Sequence, residues 1–243
     1  MKEVKFCAIS DMHGIAFPDI EKCDVLLICG DTVNLYSQRY DDQSEKWFER
    51  NFIPWAINVP CEKIYIIGGN HDFWMENKAE YIKEFFKTKT DGKIEYLENE
   101  YATYKDINIF GTPICHKFFN WAFMPSDDEA TIIFNDILYD LNKKNIKIDI
   151  LMTHDSPYGC SDILFQAVDK RNIGGVPLRN FTLNLNPMIM VHGHLHSTNH
   201  EEELLGGRTL VYNTSLLDES YSYIYNPLYF SIEIDENGNK ILK

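Results

Sequence analysis

Five short apolar runs punctuate the chain, at residues 4–10, 24–29, 63–67, 148–153 and 188–191. They are rich in Ile, Val and Leu and lack strict polar alternation, the pattern of strands buried on both faces. Each gives way to polar or glycine-containing sequence, a strand-to-loop signal. Between them lie stretches with helical spacing. Residues 43–57 carry Trp47, Phe48, Phe52 and Trp55, and residues 78–87 carry Tyr81, Ile82, Phe85 and Phe86. Residues 127–144 carry Ile133, Ile137, Leu138 and Leu141 behind Ser126 as N-cap, and 162–170 is a less regular candidate. The stretch 94–111 reads as two or three short strands with turns near Asn99 and Asp106. Residues 208–212 and 228–234 read as further strands, and Asp235-Glu236-Asn237-Gly238 carries the Asn-Gly of a tight hairpin. The pattern predicts an α/β fold of two packed mixed β-sheets with helices outside. With no repeat, low-complexity tract or linker, the 243 residues read as one domain, 1–243.

Composition narrows the partners. Hydrophobic residues make up 44% and aromatics 14%, enough for a sizeable core. The formal net charge of −14 repels a phosphate backbone, so long nucleic acid is not an expected partner. The six cysteines are scattered without a C-x-x-C pair, and Cys7 and Cys29 fall inside apolar runs as small core hydrophobes. That usage fits a reducing compartment. The N-terminus enters a strand directly, without the apolar region of a signal peptide, and no run is long enough for a membrane helix. The expected location is cytoplasmic, with no membrane partner; the oligomeric state is left open.

The residues at the strand ends carry the chemistry. Asp11, His13, Asp31, Asn70, His154, His194 and His196 all follow apolar runs. On an extended chain Asp11 and His13, two apart, point the same way and can grip one ion. Asp31 has two carboxylate oxygens, which lets it bridge two ions. Asn70 offers a neutral oxygen, and the histidines offer imidazole nitrogens. Mixed N/O ligation suits Mn, Fe or Zn better than all-oxygen cations. Two divalent metal ions are the expected cofactors, manganese first, with iron, zinc, nickel or magnesium as further candidates. Hydrolysis of a phosphate ester is the chemistry such a pair serves best.

The series D-x-H, G-D, G-N-H-D, H and G-H-x-H, in that order over residues 11–196, resembles the calcineurin-like metallophosphoesterase superfamily. The resemblance implies a four-layer αββα sandwich. It assigns one metal to Asp11, His13, Asp31 and His196, and the other to Asp31, Asn70, His154 and His194. A hydroxide held by both ions would attack phosphorus in line with the leaving oxygen. His71 is left to protonate or stabilise the leaving group, with Asp72 as its orienting partner. Gly111-Thr112-Pro113 with Asn120-Trp121-Ala122-Phe123, the block around His154, and Asn213-Thr214-Ser215 are similar to a subgroup, the metallophosphoesterase-domain-containing proteins. That likeness, to class III phosphodiesterases, implies small phosphodiesters as substrates, cyclic nucleotides or simple diesters. The chain departs from the subgroup at Asp155-Ser156-Pro157, where Gly-Pro-Pro is more usual. The Ser/Thr phosphatases of the superfamily carry an Arg in G-D-x-x-D-R-G; here residues 30–36 contain none, which disfavours phosphoproteins. The alternatives are a nuclease or phosphomonoesterase of the same superfamily, and, in another class, a non-catalytic metal-binding scaffold. Asp155 is a candidate to fix the free ring nitrogen of His154. His116, His192 and His200 read as structural, with His116 expected near the pocket mouth because it sits in the 111–123 stretch, and Phe73, Phe119 and Trp121 read as packing groups, with flanking a nucleobase as the alternative.

Overall fold

The apolar runs form the interior strands of two sheets. The computed structural model describes residues 2–164 and 171–243. The strands are β1 (Lys2–Ile9), β2 (Val25–Cys29), β3 (Lys63–Ile67), β4 (Ile94–Tyr96), β5 (Glu100–Tyr104), β6 (Ile107–Thr112), β7 (Ile150–Thr153), β8 (Ile189–His192), β9 (Glu203–Leu205), β10 (Thr209–Asn213), β11 (Leu228–Ile234) and β12 (Lys240–Leu242). The first sheet has the order β12-β11-β1-β2-β3-β4 and the second β5-β6-β7-β8-β10-β9. In the first, β1 to β4 are parallel, β11 runs antiparallel to β1, and β12 antiparallel to β11. In the second, β6, β7, β8 and β10 are parallel, with antiparallel edges β5 and β9. Both sheets are therefore mixed.

Period-two alternation sorts each strand into two cores. Val25, Leu27 and Cys29 of β2 face the space between the sheets, where they meet Phe6, Ile67, Ile109, Ile150, Met152 and Val191. Leu26 and Ile28 point the other way, into a helical layer. Burial on both faces explains why these runs are apolar without alternation. Each fully buried Leu or Ile contributes roughly 1.5–3 kcal/mol.

The helices are α1 (Asp41–Trp47), α2 (Ile53–Asn58), α3 (Phe73–Asn77), α4 (Ala79–Lys89), α5 (Asp127–Lys143) and α6 (Val176–Leu185). Phe48, Phe52, Trp74 and Phe86 pack the first group onto the first sheet. Phe134, Leu178 and Phe181 pack α5 and α6 onto the second. The result is the four-layer α/β sandwich.

The helices differ from those expected in two respects, and a third expectation falls largely outside the described residues. The segment 43–57 is not one regular helix: α1 and α2 are joined by a π-helical turn, Phe48–Phe52, in which Ile53 N–H reaches back to the Phe48 carbonyl. Pro54, with no N–H to give, stands in the first turn of α2, so the ladder resets around it. α3 and α6 have no counterpart among the helices expected from spacing; α6 carries Pro177 in its first turn, where proline is favourable. The candidate at 162–170 lies largely outside the described residues, and 162–164 are not helical. Ser126 does cap α5, forming a reciprocal capping box with Glu129. The Asp235–Gly238 turn joins β11 to β12.

In the first sheet Cys29 lies opposite Ile67, and in the second Thr112 lies opposite Thr153. The central parallel strands thus end level, and their following loops converge on one rim, where ligands of open α/β sheets bind.

Candidate metal centre

Five strands deliver the polar residues. The loop after β1 carries Asp11 and His13, that after β2 Asp31, and that after β3 Asn70, His71 and Asp72. The loops after β7 and β8 carry His154, and His194 with His196. The chain does not run extended through Asp11 and His13. Asp11, His13, Asp31 and His194 have φ of 55°, 44°, 50° and 68°, in the left-handed region. Each such residue costs on the order of 1–3 kcal/mol and persists only where its surroundings hold it. Backbone bonds from Asp11 N to the Gly30 carbonyl (3.1 Å) and from His13 N to the Asp31 carbonyl (2.9 Å) do the holding. The two side chains converge through a strained turn instead of strand alternation.

The donor atoms fall into two nests. In the first, His196 Nε2 is 3.1 Å from Asp11 Oδ1, and His13 Nε2 is 3.4 Å from His196 Nε2 and 3.6 Å from Asp31 Oδ2. In the second, Asn70 Oδ1 is 3.0 Å from His154 Nε2 and 2.7 Å from His194 Nδ1, while His154 Nε2 is 3.3 Å from Asp31 Oδ2. Asp31 belongs to both, but through one oxygen. Its Oδ1 accepts the His71 backbone N–H at 2.7 Å, leaving Oδ2 alone to face both nests. Room for this carboxylate depends on Gly69, where a Cβ would stand 2.3 Å from Asp31 Oδ1. Gly193 does the same for Asp11, whose Oδ2 would be 2.2 Å from an added Cβ.

The outer groups fix which nitrogens face inward. His154 Nδ1 lies 2.7 Å from the Cys29 carbonyl and His196 Nδ1 3.0 Å from the Asp218 carbonyl. A carbonyl only accepts, so both Nδ1 atoms carry protons and both Nε2 atoms point into the nests. The Ser215 hydroxyl donates to Asp11 Oδ2 at 2.6 Å. Asp155 does not orient His154. Its Oδ2 accepts from the backbone N–H and Nδ1 of His116, both at 2.9 Å, because the strand end turns the two neighbouring side chains apart.

The electrostatics are those of donor sets that could hold cations. Asp11 and Asp31 are buried, which would raise their carboxyls, yet the facing histidines hold both well below the ordinary range. Burial pushes His13 down to about 4 and His194 to about 3. Against the same burial penalty, Asp31 raises His154 to about 10 and Asp11 raises His196 to about 9. The buried carboxylates thus draw a proton onto the inward-facing Nε2 atoms of His154 and His196, the place a cation would take. Opposed ring nitrogens in contact, beside ionised oxygens, fit a divalent cation in each nest.

His71 stands at the edge of both. Its Nε2 is 3.9 Å from Asp31 Oδ2, and its ring lies against Trp121 at 4.4 Å and edge-on to His13 at 4.8 Å. Its Nδ1 is hydrogen-bonded to Gln38 Oε1, not to Asp72. The Asp72 carboxylate faces away and accepts from the backbone N–H groups of Gly69, Thr32 and Val33 at 3.0, 3.3 and 3.1 Å. Burial and the nearby Asp31 raise its pKa to about 7.

The nests floor a cleft of about 630 Å³ walled by Gln38, His116, Phe118, Trp121, Glu219 and Tyr221, among others. No Lys or Arg is among its described lining residues. Arg39 lies over the faces of Phe73 and Trp121, at 4.6 and 4.3 Å. Gln38 carried no signal in the sequence. His116, read as structural, is a wall residue; its partner Asp155 stood out as a departure from the subgroup pattern.

The sequence profile of the calcineurin-like phosphoesterases matches residues 4–198. The chain belongs to the calcineurin-like phosphoesterase family. It is similar to human metallophosphoesterase domain-containing protein 1, 25% identical over 96% of this chain and 72% of the relative. It is also similar to the UPF0046 protein C25E10.12 of Caenorhabditis elegans, 27% identical over 98% of this chain and 84% of the relative. Among solved structures, one crystal structure superposes with a TM-score of 0.69 at 14% identity, over 100% of this chain and 99% of the other. The crystal structure of TT1561 from Thermus thermophilus superposes with a TM-score of 0.57 at 13% identity, over 86% and 89%. These two show the fold. Membership in this phosphoesterase family, with Asp/His donor sets that could hold divalent cations, supports metal-dependent phosphoester hydrolysis. Among the described residues, no helix is long and apolar enough to cross a membrane.

Proposed function

We propose that this phosphoesterase hydrolyses small phosphodiesters at a two-cation centre. Asp11, His13, Asp31 and His196 would hold one ion, and Asp31, Asn70, His154 and His194 the other. The observation that carries the reading is Asp31 Oδ2, placed within 3.6 Å of His13 and 3.3 Å of His154, so that one oxygen serves both donor sets. A cation pair supplies Lewis acidity toward phosphoryl oxygens and makes hydroxide available near neutral pH.

The chain's own residues do the rest. His71 stands where a leaving oxygen emerges, held between Trp121 and His13 with Nε2 toward the centre. It delivers or shares a proton with that oxygen. Asp72 holds three backbone N–H groups of the loops that carry Asp31 and Asn70. Phe118, Trp121 and Tyr221 exclude water and offer flat faces to an organic group. A cleft whose described lining has no Lys or Arg suits a monoanionic diester better than a dianionic monoester. Glu219 adds a carboxylate to the wall, which works in the same direction.

The test is a manganese-supplemented panel of p-nitrophenyl phosphate, bis-p-nitrophenyl phosphate, cyclic mononucleotides and single-stranded DNA. A diester is expected to give the highest kcat/KM. Preference for the monoester overturns the substrate reading, preference for DNA points to a nuclease, and bound metal without turnover on any substrate points to a scaffold.

A further inference from the structure

Two cysteines meet at the end of the first sheet remote from the metal nests. Cys23 precedes β2 and Cys61 precedes β3. In that parallel ladder Val25 lies opposite Lys63, so the same register two residues earlier sets Cys23 opposite Cys61. The backbone is still paired there. Cys23 N–H donates to the Pro60 carbonyl at 3.3 Å, and Glu62 and Lys63 both donate to the Asp24 carbonyl, at 3.0 and 3.2 Å. Neighbouring strands lie about 4.8 Å apart, inside the roughly 4.4–6.8 Å between Cα atoms that a disulfide spans. Cys61 is half-buried, while Cys7, Cys23, Cys29, Cys115 and Cys160 are buried.

We propose that Cys23 and Cys61 form a reversible dithiol site whose co-reactants are peroxides and small-molecule disulfides. With hydrogen peroxide, the Cys61 sulfur attacks one oxygen and the O–O bond breaks, giving a sulfenic acid at Cys61 and one water. The Cys23 sulfur then attacks the Cys61 sulfur; the S–S bond forms and the hydroxyl leaves with the Cys23 proton as a second water. Two thiols are oxidised and one peroxide is reduced. With glutathione disulfide, the same two attacks release two glutathione thiols.

Access assigns the order of attack: Cys61 is half-buried and Cys23 buried, so a co-reactant reaches the Cys61 sulfur first. A hydrogen bond from Cys23, with the Lys93 ammonium and backbone N–H groups nearby, holds the Cys61 thiol below its ordinary value. The Lys93 ammonium is fixed 2.6 Å from the Val59 carbonyl. The neighbouring Cys61 thiol, with burial, pushes Cys23 up, in line with that order. Thiolates are the attacking species, so Cys61 reacts first and Cys23 resolves.

The experiment treats the reduced 243-residue protein with a few equivalents of glutathione disulfide, denatures it, alkylates free thiols and maps the peptides. The expected result is loss of two of six alkylatable thiols, one peptide pair joined through Cys23 and Cys61, and full reversal by dithiothreitol. The melting temperature should rise by about 5 °C or more, since the bond closes a long loop. In Cys23→Ser, glutathione should remain on Cys61 as a stable mixed disulfide. Six free thiols after treatment, a stable glutathione adduct on Cys61 in the wild type, or a crosslink between any other pair overturns the proposal. The wild-type map decides even if the variant does not fold.

Discussion

Asp31 concentrates the chemistry in one atom. Its Oδ1 is occupied by the His71 N–H, so both donor sets depend on Oδ2. Asp31→Ala should therefore abolish metal loading in both nests and lower kcat/KM by at least about 10³-fold, with metal content read by elemental analysis. His71→Ala should instead retain the metal and lose about 10²–10⁴-fold in kcat. Equal loss of metal in that variant would remove His71 from its role. Gln38→Leu should cost roughly 10-fold in kcat with little change in metal content, because the Nδ1 partner of His71 is gone. Protonation adds a pH dependence. Without cations, His154 at about 10 and His196 at about 9 are raised above the ordinary value near 6.5. Their pairing with Asp31 and Asp11 stabilises the metal-free fold fully below pH about 6.5, and that contribution fades as pH rises through 9 to 10. Cations need those nitrogens neutral, so loading near pH 7 should release protons and affinity should climb with pH. Calorimetry in buffers of different ionisation enthalpy reads this directly; loading without proton release would contradict it.

At the scale of elements, the strands were readable because burial on both faces writes uninterrupted apolar runs, as in Val25 to Cys29. The cap of α5 was readable because Ser126 and Glu129 satisfy local backbone groups. Ser126→Ala should cost about 1 kcal/mol of stability and leave hydrolysis unchanged, as measured by thermal melts and the diester assay. Contacts made across distance were not readable. Gln38 meets His71 from 33 residues away, and His116 meets Asp155 from 39. Nothing in local spacing marks such partners, since tertiary packing alone chooses them. The left-handed turns at Asp11, His13, Asp31 and His194 were equally silent, because Asp and His are ordinary loop residues. The residues that the structure brings together were legible for a chemical reason: few side chains can bind divalent cations, and these follow strand after strand.

Over the whole molecule, two sheets end their central parallel strands level, and that shared rim gathers loops from residues 11 to 196 into one centre. The charge of −14 sets what can approach. A compact diester feels mainly the local centre, so its turnover should change less than about 3-fold between roughly 50 and 200 mM salt, whereas a polyanion binding many phosphate-contacting cations would lose far more. A steep loss with a small diester would count against local recognition. The most direct measurement is anomalous diffraction from a crystal soaked in manganese. Two peaks are expected, one on each side of Asp31 Oδ2, the first among Asp11, His13 and His196 and the second among Asn70, His154 and His194. A single peak, or none between those loops, would contradict the two-cation account.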